Sequence, residues 1–573
     1  MLNVAISGIT GHILNANQDC QAHPGHWLNF FAGALFAASL LLLAVLPAAA
    51  APLSPGTVIA PIDKPVYQPE RKLKPAIVEP EKKQPAVPSS TLTVPVNRFL
   101  FRGNTTFSDE QLQEVVSRYE GRDLSITDIY RVADMVEIYY RYNGYLLTSV
   151  YVPAQQINSG EITLEIIEGR LGEINISGNL HSYSPAFLRK QINELTPGEI
   201  IADQALEKET LLLGDLPGLD ARAVISPGKE YGQSDIDFVV EEDRYSGVIN
   251  ANNYGRKSIG EARIEAGVLM ANPVFEGDAI NLSFIGAQDS RMYYGRVDYD
   301  ALINVHGSRL GFSYSAFNYD VDTPELGFPD TATLGGGGTT AVLRFSHPLQ
   351  RSSRNNATLL VNVRRSTTRE NGNISLRPDT GINLLDVFLS WDHLYRDYAR
   401  TAIQGGISTN FQSRTDLLDD GSQKAKLTLD MSHYQPFLKT WFILGRIQAT
   451  YSPDPLVDVE RFRIGGQGSV RAYPSAELAG DRGGVISLDL GWNYVASDSI
   501  VMVPKVFLDA GRVYRIEPVG LAARESLAGY GAGLLVVVAK DHNFDFEVVT
   551  PSNDKPSSDG RDTRFWLSYR GLF

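Results

Sequence analysis

From Arg244 to the C-terminus, apolar and polar residues alternate with a period of two, the mark of strands with a different environment on each face. In residues 485–494, Ile486, Leu488, Leu490, Trp492 and Tyr494 fall on one side, and Ser487, Asp489, Gly491 and Asn493 on the other. Leu385, Val387, Leu389 and Trp391 alternate likewise with Asp386, Phe388, Ser390 and Asp392, as do Leu427, Leu429 and Met431 with Thr428, Asp430 and Ser432. We count 16 such segments, the first near Tyr245 and the last near Arg564. Short connections alternate with longer ones, the longest being about 19 residues at 319–337 and about 31 at 453–483. An apolar face with aromatics at its ends, a polar face opposite, and short turns against long loops predict a 16-stranded antiparallel transmembrane β-barrel over 244–573.

Upstream, helix-like and strand-like periods alternate, and the pattern repeats at an offset of 75 residues. A strand-like run at 96–102 ends in Gly103-Asn104, and another at 171–177 ends in Gly178-Asn179. A helix start follows each. Ser108 with Gln111 makes a capping box, and Ser184-Pro185 puts proline in a first turn. Second helices are predicted over 126–142 and 203–213; paired strands close the copies at 146–152 with 162–167 and at 221–226 with 236–241. The order β-α-α-β-β, used twice, predicts two small α+β domains, 96–169 and 170–243.

The N-terminus is built differently. Residues 30–46 are an apolar core followed by Pro47 and four alanines, which reads as a secretory signal over 1–51. Its n-region is atypical, with His12, His23 and His26 but no Lys or Arg before the core. Ten prolines then fall within 51–95, so 52–95 is predicted to be an extended, polyproline-like linker.

Composition narrows the chemistry. A mean hydropathy of -0.14 excludes a bundle of membrane helices, and a net charge of -14 argues against a nucleic-acid partner. The single cysteine, Cys20, lies in the predicted signal, so a mature chain would have no disulfide framework and no cysteine nucleophile. The histidines lack ligand spacing, no Gly-x-Ser-x-Gly elbow occurs, and Gly335–Gly338 lacks a phosphate-loop lysine and falls at the end of a predicted extracellular loop. Gly529-Tyr-Gly-Ala-Gly533 reads as small residues easing strand curvature. No enzyme, metal or cofactor is expected.

Two motifs, 461–483 and 507–511, carry a family resemblance. The longest loop holds Val470-Arg471-Ala472-Tyr473, and about 35 residues later comes Phe507-Leu508-Asp509-Ala510-Gly511. With the repeat order, and Gly144-Tyr145 and Glu168-Gly169 in the first copy, these resemble the two-partner secretion transporters of the outer membrane (FhaC/ShlB/HecB type), whose periplasmic repeats are POTRA domains. The loop motif of that family and its BamA-like relatives is usually Val-Arg-Gly-Tyr or Val-Arg-Gly-Phe, so Ala472 stands in place of a glycine. The resemblance implies that Arg471 folds into the barrel and pairs with Asp509, which strand parity places on the lumen side with Phe507 and Gly511. The C-terminal run RFWLSYRGLF, with Phe565, Leu567, Tyr569 and Phe573 in one register, resembles the signal by which such barrels are recognised for insertion.

The implied function is capture of an unfolded exoprotein client (TpsA-like) by the POTRA domains and its export through the barrel without nucleotide hydrolysis. Periplasmic chaperones, the barrel-assembly machinery and outer-membrane lipid would be further partners. The rival readings are a barrel-assembly factor of the same superfamily and a general porin.

Overall fold

The computed structural model describes residues 76–78, 93–157, 159–374, 379–415, 424–518 and 520–573. The predicted signal, Cys20, and the predicted linker apart from 76–78 and 93–95 lie outside the described residues. Two compact units result, one centred on Lys72–Asp243 and one on the chain from Arg244 onward.

In the first repeat, Thr93–Val96 pairs antiparallel with Arg122–Ser125, and Arg98–Arg102 runs parallel to Glu161–Ile167, which pairs antiparallel with Ser149–Tyr151. The helix Ile126–Tyr142 places Val132, Val136 and Tyr140 at four-residue spacing, and this stripe is buried with Phe99, Ile162, Leu164 and Ile166. Its start is fixed by Ser125 and Asp128, which cap each other's backbone, as Ser108 and Gln111 do at the start of Asp109–Val116. The single strand predicted over 96–102 is broken at Asn97, whose backbone N–H donates to Gly160 O at 2.7 Å. In the second repeat, Gln233–Glu242 lies between Arg170–Asn179 and Leu219–Pro227.

The linker differs from expectation. Ala76–Val78 pairs parallel with Arg222–Val224 at the edge of the second repeat, and 93–95 belong to a strand of the first. Proline cannot donate to a ladder, but Ala76-Ile77-Val78, within the four residues between Pro75 and Pro80, has all its N–H groups and ends in two β-branched residues.

A turn-closing carboxylate recurs in both repeats, buried in the first and half-buried in the second. Glu168 accepts hydrogen bonds from the backbone N–H groups of Thr105 (2.9 Å) and Thr106 (2.8 Å), from the Thr105 hydroxyl and from Tyr140 Oη (2.8 Å). Glu242 closes the equivalent turn, accepting from the N–H of His181 (2.8 Å) and Ser182 (2.9 Å). Burial pushes the Glu168 carboxyl up, but these donors outweigh it and hold its pKa below the usual carboxylate range. Because the folded value is the lower one, the stabilisation is complete above the unfolded value of about 4.3 and is lost as pH falls through the folded value. Hydrogen exchange at the Thr105 and Thr106 amides is therefore expected to stay slow at neutral pH and to lose protection only in acid. Glu168→Gln should remove that acid dependence and cost about 1.5–3 kcal/mol.

The second unit is a closed antiparallel barrel of 16 strands. Tyr245–Asn252 pairs with both Arg263–Ala271 and the C-terminal Arg564–Leu572, closing the ring without an edge. One strand, Arg482–Trp492, continues past Asn493 as Tyr494–Ser497. Leu488, Leu490, Trp492 and Tyr494 are exposed on the outside, and Ser487, Asp489 and Asn493 are buried inside. Trp441 stacks on Trp492 with centroids 6.0 Å apart, in keeping with an aromatic girdle. Gly335–Gly338 is not the end of a loop: it opens the strand Gly335–Arg351, paired with residues 317–320. A Cβ at Gly336 would lie 2.8 Å from Tyr319 Oη, and one at Gly338 2.8 Å from the Phe317 ring, so the glycines make room for aromatic side chains.

Candidate functional site

Between Tyr451 and Arg482 the chain leaves the wall as a long loop, stiffened by pairing of Phe462–Ile464 with Leu478–Gly480. Its neck is closed by buried Asp481, which accepts from the N–H groups of Leu456 (2.8 Å) and Ile516 (2.9 Å). The loop folds inward. Val470, Ala472, Tyr473 and Leu478 bury themselves with the wall residues Val485, Phe507, Leu527 and Trp566. An apolar tip of this size has no stable place in water, so packing on the inner wall decides where the loop goes.

Arg471, only 4% exposed, meets the wall through every part of its guanidinium. Nε and Nη2 donate to the two oxygens of Asp509, each at 2.8 Å, and the Arg471 backbone N–H also donates to Asp509, at 3.1 Å. Nη2 reaches Asp489 at 2.7 Å and Nη1 reaches Glu547 at 3.3 Å. The guanidinium carbon lies 3.4 Å from the centroid of the Phe507 ring, a cation–π contact out of water. Three strands thus supply one carboxylate each. Two of those carboxylates have a second cation: Arg446 reaches Asp489 at 2.9 Å and Lys505 reaches Glu547 at 2.7 Å. Asp509 faces Arg471 alone among the ion pairs of the described residues. Only a planar five-donor head serves three carboxylates at once.

The resemblance named Arg471 and Asp509. Asp489, Glu547 and Trp566 were missed, although Trp566 Nε1 donates to the Arg471 carbonyl at 2.8 Å. The alternation already put Asp489 on the polar face, but nothing in the sequence tells which lumen carboxylates converge. Tyr473 Oη donates to Lys555 O at 3.0 Å. Gly511 lies against Val470, where a Cβ would come within 3.1 Å of its side chain.

Ala472 takes the place of the family's glycine without strain, since its φ is not positive. It packs instead on the wall: a Cβ at Gly529 would lie 2.4 Å from that of Ala472, and one at Gly531 2.6 Å from the Phe507 ring. The glycines of 529–533 therefore make space for the loop tip and its aromatic platform as well as lying in a strand. Gly529→Ala is expected to push the tip off the wall and raise channel conductance, and adding Ala472→Gly should restore it. Single-channel recording of the two single variants and the double variant checks this; a double variant as open as Gly529→Ala would contradict it.

At the other end of the register, Phe565, Leu567 and Phe573 lie exposed on the outer face, with Tyr569 half-buried in the same parity. Phe573 exchanges backbone hydrogen bonds with Gly247 at 2.9 and 3.1 Å. The C-terminal residue thus takes part in the seam that closes the barrel.

A family model described as haemolysin secretion/activation protein ShlB/FhaC/HecB matches residues 232–536, and a POTRA domain model of ShlB type matches 94–169. The chain belongs to this family, the two-partner secretion transporters of the outer membrane. Among curated relatives, the heme/hemopexin transporter protein HuxB of Haemophilus influenzae is 23% identical over 491 residues, covering 82% of this chain and 85% of its own. The outer membrane transporter CdiB of Dickeya dadantii is 24% identical, with 68% and 71% covered. Among solved structures, CdiB from Escherichia coli superposes with a TM-score of 0.67 at 19% identity, covering 86% of this chain and 93% of that one, which shows a shared fold. The transporter's POTRA repeats are periplasmic and its barrel is in the outer membrane.

Proposed function

We propose that this transporter exports a single large exoprotein, captured unfolded in the periplasm and threaded through the barrel as the inward loop yields. One observation carries this reading: the loop packs on the inner wall through a buried ionic contact that can break without unfolding the wall, since the backbone groups of the strands hydrogen-bond one another and not the loop tip. The relatives' names point to the client class, being transporters of heme/hemopexin and of haemolysin. Capture at a strand edge is supported by Leu219–Pro227, an edge that already accepts an extended segment, Ala76–Val78, in parallel register. The corresponding edge of the first repeat is partly blocked, because Gln155 bonds both backbone groups of Thr163 and Glu137 accepts from Val150 N–H. The second repeat is therefore the docking edge in this reading, with the client replacing the chain's own strand. Deleting residues 93–243 should leave a conducting barrel that exports no client. Export at the wild-type level by that variant would overturn the reading and favour a porin.

A further inference from the structure

The loop carries a second buried charge of opposite sign. Glu460 lies ten residues before the motif that begins at Val470 and is 6% exposed. Its carboxylate faces a different arc of the wall. Arg364 of the strand Asn355–Asn371 donates to it through Nη1 at 2.7 Å and Nη2 at 3.2 Å. Lys426 of Ala425–Phe437 donates both to that carboxylate and, at 3.3 Å, to the Glu460 carbonyl. Arg364 is itself held by Asp386, with Nε 3.3 Å away. A small cavity lined by Ser408, Asn410, Lys426 and Leu456 lies beside the carboxylate.

We propose that Glu460 is a positioning residue forming a second latch, which holds the entering arm of the loop on this basic arc independently of the Arg471 contact. Burying a carboxylate is costly unless it is paired and hydrogen-bonded, and a loop anchored at its tip alone has no need of such a group on its arm. The pattern of signs supports the assignment. The loop offers an anion where the wall is cationic, and a cation where the wall presents Asp489, Asp509 and Glu547. Each end of the inserted segment therefore recognises one arc and is repelled by the other, which fixes the direction in which the loop crosses the lumen. Two latches also separate two events: the tip can release while the arm still lines the wall, so that a narrow path opens before a wide one.

The test uses full-length protein in liposomes, without any client, so that its failure is distinct from failure of the export reading. In a Cys20→Ser background, Val457→Cys reports on the arm and Ser469→Cys on the tip through their rates of labelling by a charged maleimide. Glu460→Gln should speed arm labelling about tenfold, the population change that about 1.4 kcal/mol produces, with a much smaller change at the tip. Arg471→Ala should do the reverse. Combined in a double variant, the two effects should add as logarithms, because the latches are separate. Glu460→Gln with Arg364→Gln should give no more than the larger single effect, because those residues act as one. Glu460→Asp, which keeps the charge but shortens the reach, should fall between, and it serves as the control should Glu460→Gln fail to yield a heat-modifiable, folded barrel. Unchanged arm labelling in both Glu460 variants overturns the proposal, as does an arm freed by Glu460→Gln but unaffected by Arg364→Gln.

Discussion

Arg471→Ala is expected to abolish export, while Asp509→Ala should reduce it only in part. The reason is the number of partners each side keeps. Removing the guanidinium strips Asp509 of its only ionic partner among the described residues and weakens the hold on Asp489 and Glu547, which retain Arg446 and Lys505. Breaking a buried pair from the cation's side in this way costs about 3–5 kcal/mol. Removing the Asp509 carboxylate leaves Arg471 with Asp489 at 2.7 Å and Glu547 at 3.3 Å, so the loss should be smaller, about 1–3 kcal/mol. The double variant should be little worse than Arg471→Ala, since Asp509 then keeps only the backbone N–H of residue 471 on the loop. Arg471→Lys should resemble alanine more than arginine, because an ammonium cannot reach three carboxylates on three strands. Secreted client measured at matched levels of heat-modifiable barrel decides the order. Equal, additive losses for the two single variants would contradict the shared-cluster account.

Deleting residues 466–480 should give the largest change in conductance while export is lost. The deletion removes Val470, Ala472, Tyr473 and Leu478 from the inner wall, together with the cation among three carboxylates. What remains is a closed ladder of 16 strands whose backbone bonds do not involve the tip, so insertion should continue. The arc of wall uncovered beneath the tip would carry Asp489, Asp509, Asp545 and Glu547 against Arg446 and Lys505, a local excess of negative charge that should shift the open pore toward cations. Planar-bilayer recordings with asymmetric KCl read both quantities. A deletion variant with wild-type conductance would mean that the loop does not obstruct the path.

How far these results were legible beforehand depended on the range of the interactions involved. The alternation in 485–494 fixed which side of that strand meets lipid, because a strand's faces are set by parity alone and need no knowledge of its neighbours. Helix starts at Ser108 and Ser125 lie within four residues of the groups they cap, and the helix Ile126–Tyr142 carries its own apolar stripe. Strand starts at Tyr245, Asp278, Asn355, Arg400, Trp441, His542 and Arg564 coincide with changes in local pattern. The glycine run at 335–338 was less legible: glycines give no alternation, and only the rings of Phe317 and Tyr319 on the neighbouring strand explain them. The short strand Ala76–Val78 was hidden for a similar reason, since three residues among prolines carry little period and their partner is about 146 residues away.

By itself, then, the sequence determined two α+β repeats, a barrel with its inside and outside assigned, and, through a resemblance, one arginine and one aspartate to watch. Tertiary structure alone decided that Arg471 meets Asp489 and Glu547 as well, that Trp566 holds its carbonyl, that Gly529 is small to admit Ala472, and that Glu460 finds Arg364 and Lys426. The physical reason is ring closure. Folding a ladder into a barrel brings side chains from strands distant in sequence onto one inner surface, and a loop laid against that surface selects among them by charge and volume, which no local pattern encodes.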